Sequence, residues 1–173
     1  MRIDIYTDGS WFMNKNRGGY GVIMIIGGQK YEFSQGFSET TSNRMELMGA
    51  IVALRRLPEF FSGECDITLY SDSKYVVNSV NKGWIENWAH SNWTRYNGKI
   101  LKNPDLWTKL YPLIIRHKVK FVWIEGHNGN KIHDRADKIA RSAARGKKLL
   151  IDRRDDENIL VGATASGNSM GSV

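Results

Sequence analysis

At 173 residues, 41% of them hydrophobic, the chain fits a single domain with a sizeable core. Its longest apolar runs fall far short of a bilayer span, which excludes a helical membrane protein. A formal net charge of +7 points to a polyanionic partner, nucleic acid being the simplest, although a solubility role would give the same sign.

In chain order, Arg2 to Trp11 alternates, with Ile3, Ile5 and Thr7 on one side and Asp4, Tyr6 and Asp8 on the other, as a strand does. Gly18-Gly19-Tyr20-Gly21 leads into a second strand from Val22 to Ile26. Gly27-Gly28-Gln29 is a tight turn, and Tyr31 to Phe37 is a third strand in an antiparallel meander. The hydroxyls of Thr40-Thr41-Ser42 cap a helix from about Asn43 to Leu57, and Pro58 ends it. Asp66 to Tyr70 is a fourth strand, and Ser71-Asp72-Ser73 caps a helix to about Val80.

Residues 82–112 form a basic, aromatic insert. Between Lys82 and Lys120 there are eight Lys/Arg against two acids, Glu86 and Asp105, interleaved with Trp84, Trp88, Trp93 and Trp107. A helix is expected over Leu106 to His117, with Pro112 unsettling its middle. Val119 to Ile124 is a fifth strand, Gly126 to Asn130 a loop, and His133 to Lys148 a last helix. Residues 149–173 read as a flexible tail, within which Ile159-Leu160-Val161 offers a short docking segment. The domain is therefore expected over residues 1–148, an α/β fold with a mixed sheet and helices on its faces.

Cys65 is the lone cysteine, so no intrachain disulfide forms. Its acidic neighbours Glu64 and Asp66 disfavour a reactive thiolate. Asp4 interrupts the apolar start, which does not read as a signal peptide. A cytoplasmic location and no membrane partner are the expectations.

Asp8, Glu46, Asp72 and Asp137 carry the chemistry. Each has an ordinary explanation by itself: an Asp-Gly turn, a carboxylate on a helix dipole, a helix cap, and an i,i+4 ion pair with Arg141. Adjacent first and fourth strands would bring Asp8 and Asp72 together. Helices packed on the sheet would add Glu46 and Asp137, the former aided by the small residues Gly49, Ala50 and Ala53. Four converging carboxylates repel and raise one another's pKa, and two divalent cations would offset them. Such a pair is suited to in-line phosphodiester cleavage.

Tyr6-Thr7-Asp8-Gly9-Ser10, Gly18-Gly19-Tyr20-Gly21, Thr41-Ser42-Asn43-Arg44-Met45-Glu46, Tyr70-Ser71-Asp72-Ser73, Gly126-His127-Asn128-Gly129 and Ala136-Asp137 occur in an order and spacing that resembles type 1 ribonuclease H of the bacterial kind. The resemblance runs from about Arg2 to Arg145. It implies a five-stranded mixed sheet in the order 3-2-1-4-5 with helices on both faces. It also implies endonucleolytic hydrolysis of the RNA strand of RNA–DNA hybrids, leaving 5′-phosphate and 3′-hydroxyl ends.

The resemblance makes Asp8, Glu46, Asp72 and Asp137 the catalytic ligands of two Mg²⁺ ions, with Mn²⁺ as a substitute. It makes His127 a loop histidine assisting turnover. Asn14 and Asn43 would contact the RNA strand near the cut, where amides can read 2′-hydroxyls. Thr41 would hold a DNA-strand phosphate. Arg44 and Lys74 would reach the substrate, with Trp84 and Trp93 as contacts from the basic protrusion, whereas Trp88 and Trp107 suit the core.

Three positions depart from the pattern: His133 and Asp134 stand where an asparagine and a glutamate are usual, and Lys74 where a glutamine is frequent. A monomer is the default expectation. Two alternatives stay open, a catalytically inactive hybrid-binding module and a nuclease of the same fold acting on DNA.

Overall fold

The computed structural model describes residues 1–154. Strand β1 (Arg2–Phe12) turns through a 3₁₀ segment, Met13–Lys15, into β2 (Arg17–Ile26). Gly27 and Gly28, with φ of 56° and 81°, make the two-residue turn into β3 (Gln29–Ser38), a left-handed pair that glycine adopts without a Cβ penalty. Helix α1 (Ser42–Arg56) follows, then β4 (Asp66–Ser71), α2 (Lys74–Asn81), α3 (Trp84–His90), α4 (Pro104–His117), β5 (Lys120–Trp123), α5 (Lys131–Arg145) and β6 (Leu149–Ile151).

The sheet order is β5-β4-β1-β2-β3-β6. The expected order of five strands is present, with β1 antiparallel to β2 and parallel to β4. The sixth strand corrects the sequence reading, which began the tail at residue 149. Leu149–Ile151 pairs in parallel with Gly36–Ser38, on the edge of β3 that would otherwise stand open. Residues 155–173, including Ile159-Leu160-Val161, lie outside the described residues.

The helices begin where their caps dictate. Thr41 accepts the Arg44 N–H at 3.3 Å, and Ser73 accepts that of Val76 at 3.2 Å. Asn130 accepts from both Ile132 and His133, starting α5 two residues earlier than the sequence reading placed it. Pro112 lies inside α4 without ending it.

The two faces of the sheet are covered differently. Helix α1 is almost wholly buried, between the sheet and α4, and contributes Met45, Leu47, Met48, Ile51 and Leu54 to the core. Trp107 is fully buried beside it, with Trp88 packed edge-on against its ring. On the other face lies α5, whose stripe Ala136, Ala140 and Ala144 is buried. Gly21 and Gly36 on the strands below make that approach possible. A Cβ at Gly21 would overlap the Ala136 carbonyl, and one at Gly36 that of Ala143. Arg135 then ties α5 to Glu32 of β3 through two hydrogen bonds, at 2.9 and 2.8 Å.

Candidate active site

The site forms where β4 ends beside the middle of β1. Their register pairs Tyr6 with Tyr70, whose rings stack at 4.7 Å, and leads to Asp8 and Asp72 two residues further along the chain from each. Strand alternation sends Thr7 toward α1 and Asp8 toward the face that α5 covers. Asp8 is buried, and its Oδ1 accepts the Gly9 N–H at 2.8 Å. The N-terminal part of α1 lies directly over β1 at Gly9, which has no Cβ: one built there would stand 2.7 Å from the Glu46 backbone nitrogen. This brings the buried Glu46 carboxyl beside that of Asp8, close enough for each acid to shift the pKa of the other.

Asp72 is half-buried, and its backbone carbonyl accepts the indole N–H of Trp123 at 3.1 Å. Asp137, one turn into α5, combines the two roles the sequence left open. Its carboxylate pairs with Arg141 at 2.5 Å and stands close enough to Asp8 to raise that acid's pKa.

Asp8 is pushed up to about 7, first by burial and then by the charges of Asp72 and Asp137. Glu46 is driven well above the usual carboxylate range, again by burial first, then by Asp8 and Asp72. Negative charge at this point must be met by protons or by cations. Two buried atoms here lack any hydrogen-bond partner, Glu46 Oε2 and His133 Nε2. One oxygen of Asp8, one of Asp72 and a ring nitrogen of His133 all lie within 4.8 Å of one another. Carboxylate oxygens grouped in this way, with unpartnered donors among them, fit a hard divalent cation.

The remaining expected residues divide into exposed and enclosed. His127 is exposed on its loop with φ 58°, one residue after Gly126, whose backbone passes over Asp72 so closely that a Cβ would stand 2.5 Å from Oδ2. Asn14 and Asn43 are exposed, and Thr41 is half-buried as the cap of α1. Lys74 is exposed, its ammonium 5.1 Å above the Trp123 ring, and Lys82 stands 5.3 Å from the ring of the exposed Trp84. Trp84 also lines a cavity of about 500 Å³ with Tyr75, Trp88, Arg95, Tyr96 and Lys102.

Two expectations change. Arg44 is fully buried, its guanidinium taken up by Asp152 and Asp105, so it does not reach a substrate phosphate. Acids 61 and 108 residues further along the chain enclose it, and local sequence gives no sign of them. Trp93 is half-buried, edge-on against Tyr111 at 6.0 Å, a packing role more than a free contact surface.

Sequence reasoning also left out two residues that the fold brings to the site, Trp123 at the end of β5 and His133 in the first turn of α5. The signal for His133 was present: Asn130 is a good cap, and His133 shares the helical stripe of Ala136, Ala140 and Ala144.

A family model described as RNase H matches residues 1–145. The chain is 44% identical over 152 residues to a protein named Ribonuclease H from Desulforamulus reducens, covering 88% of this chain and 93% of that one. It is 41% identical over 151 residues to one named Ribonuclease HI from Synechocystis sp., covering 87% and 92%. Among solved structures, LC9-RNase H1, described as a type 1 RNase H with the type 2 active-site motif, superposes with a TM-score of 0.74 at 28% identity, over 85% of this chain and 74% of that one. LC11-RNase H1 in complex with RNA/DNA hybrid shares the fold at a TM-score of 0.61 and 24% identity, over 82% and 96%.

Proposed function

The chain belongs to the ribonuclease H family of enzymes, and we propose that it hydrolyses the RNA strand of RNA–DNA hybrids endonucleolytically, leaving 5′-phosphate and 3′-hydroxyl ends. The observation that carries this reading is the convergence of Asp8, Glu46, Asp72 and Asp137 where β4 ends beside β1, with Asp8 and Glu46 both displaced from ordinary carboxylate behaviour. Two Mg²⁺ ions, or Mn²⁺ in their place, would supply the activation of water and the neutralisation of phosphate charge that in-line hydrolysis requires.

The chain's own residues set the stage for that step. Asp8, on β1, has one oxygen held by the Gly9 N–H, while its Oδ2 faces His133. Glu46 and Asp8 are both held toward the protonated form, and would release protons where divalent cations supplied the counter-charge. Asp72 and Asp137 close the site from β4 and α5. Arg141 holds the Asp137 carboxylate from its outer side. His127, exposed on the loop that crosses Asp72, is positioned to exchange protons with the departing product without being buried in the chemistry.

Binding draws on a different set. Asn14 and Asn43 present exposed amides able to hydrogen-bond 2′-hydroxyls, and Thr41 offers its hydroxyl to a DNA-strand phosphate. Lys74 and Trp84, with the lysines of the insert, provide a cationic and aromatic surface for the hybrid backbone. Each chain carries the full carboxylate set, so the proposal is of a monomeric enzyme. No helix among the described residues is long and apolar enough to cross a membrane, and the cytoplasm is the proposed site of action.

The test is a comparison of labelled RNA–DNA hybrid, duplex DNA and duplex RNA, with and without Mg²⁺. Mg²⁺-dependent cuts confined to the RNA of the hybrid are expected. Hybrid binding without cutting would make the protein an inactive binding module, and cutting of duplex DNA would move it to another nuclease class.

A further inference from the structure

His133 is a site residue that the carboxylate reading does not use. Its side chain is buried, 3% exposed, and Nε2 has no hydrogen-bond partner. Leaving a ring nitrogen buried and unpaired is costly unless something meets it. The atoms facing it are Asp8 Oδ2 and Asp72 Oδ2, each at 3.8 Å. That separation is too long for a hydrogen bond, which ends near ~3.2 Å for N–H···O. It lies within the ~4.2 Å that two atoms each ~2.1 Å from one divalent cation can span.

The direction of the side chain is set by the fold. Asn130 takes the backbone N–H of His133 at 3.0 Å, fixing the first turn of α5. Ala136, one turn on, sits over Gly21 and turns this face of the helix onto the sheet. The imidazole therefore projects between β1 and the end of β4, on the same helical face as Asp137, four residues along.

We propose that His133 Nε2 is a direct ligand of the cation position between Asp8 and Asp72. This rests on the reading that the carboxylates hold divalent cations, and it adds a nitrogen donor to an otherwise oxygen-only set. A neutral imidazole brings no charge. It does bring a preference, because imidazole favours first-row transition ions whereas carboxylate and water suit Mg²⁺. The chain should hold Mn²⁺ at this position more tightly than Mg²⁺ by a margin that depends on His133.

The probe is Mn²⁺ itself, added to the full-length protein and followed by calorimetric titration and pulsed electron paramagnetic resonance. The expected result is a directly bound ¹⁴N coupling in the wild-type Mn²⁺ spectrum. It should persist in His127→Ala and disappear in His133→Phe, with Mn²⁺ affinity falling at least about 10-fold and Mg²⁺ affinity changing about 3-fold or less. Labelling histidine with ¹⁵N should convert the coupling accordingly, in wild-type protein that needs no substitution to fold. Mn²⁺ bound without nitrogen coupling would overturn the role of His133 while leaving the carboxylate site intact. Mn²⁺ binding no stronger in wild type than in an Asp8→Asn, Asp72→Asn double variant would overturn the carboxylate site as well.

Discussion

The guanidinium of Arg44 and the carboxylate of Asp152 meet through two hydrogen bonds, at 2.6 and 2.9 Å, with both side chains closed off from solvent. Thr40 donates a further hydrogen bond to the same carboxylate at 2.8 Å, and Asp105 of α4 takes the outer side of the guanidinium. One buried cation thus joins the start of α1, the start of α4 and the segment after β6. Glu46 lies two residues beyond Arg44 in the same helix.

Asp152→Ala should be strongly destabilising, because it leaves a buried guanidinium short of half its counter-charge. Losses of about 3–5 kcal/mol follow when one partner of a buried pair is removed, which denaturant unfolding would measure. Ending the chain after Lys148 should cost at least as much, since β6 goes with it. Ending it after Arg154 keeps β6 and Asp152 and serves as the control. Equal midpoints for all three chains would show that the junction contributes nothing.

Asp8→Asn separates function from stability. The variant keeps the size of the side chain and removes a charge that burial and two neighbouring acids oppose. Cleavage of the hybrid should fall by roughly 1000-fold or more, since coordination worth several kcal/mol in the transition state is lost. Hybrid binding measured by fluorescence anisotropy should persist, because its basic and aromatic contacts lie elsewhere. In chelator at pH 8 the variant should melt higher than the wild type. Undiminished Mg²⁺-dependent cleavage would remove Asp8 from the catalytic set.

Stability in the absence of divalent cations should fall as pH rises from about 4 to about 7. Asp8 titrates near 7 in the folded chain and Glu46 is displaced in the same direction, whereas unfolded carboxylates titrate near ~4. Between these values the native state holds more protons than the unfolded chain, so unfolding becomes easier with each rise in pH. The contribution is fully present below the unfolded pKa and is lost as pH passes the folded one. Mg²⁺ should remove the slope, because cations then take the place of the protons. Urea titrations in chelator and in Mg²⁺, from pH 4.5 to 8.5, test this, and parallel curves would refute it.

What could be read from sequence was what depends on phase and local chemistry. Asp8 within β1 and Asp72 just past β4 stand in matching phase, Tyr6-Thr7-Asp8 and Tyr70-Ser71-Asp72, and the parallel register brings the two together. Thr41 and Ser73 announced their helices as caps. Harder to read was whatever depended on a distant partner. Leu149-Leu150-Ile151 is too short to show alternation and becomes a strand only because β3 has an open edge. Arg44 looks solvated until Asp105 and Asp152 close around it. His133 was visible as a departure, but its direction depends on where Asn130 starts the helix and on the glycines beneath it.

Those glycines make the last prediction. Gly21→Ala places a methyl group against the Ala136 carbonyl and the first atoms of Ala140, where backbone leaves no room. Helix α5 must lift, taking His133 and Asp137 away from Asp8. A stability loss of about 1–3 kcal/mol is expected from overpacking, together with a drop in kcat that Mg²⁺ does not restore. Gly49→Ala is the contrasting variant. Its Cβ would meet Tyr20 and Thr7 at 3.5 and 3.6 Å, an ordinary contact, and a helix interior favours alanine over glycine by roughly 0.5–1 kcal/mol. That variant should melt no lower than the wild type and keep its activity. If the two variants behaved alike, close approach of α5 to β2 would not be what positions the fourth carboxylate.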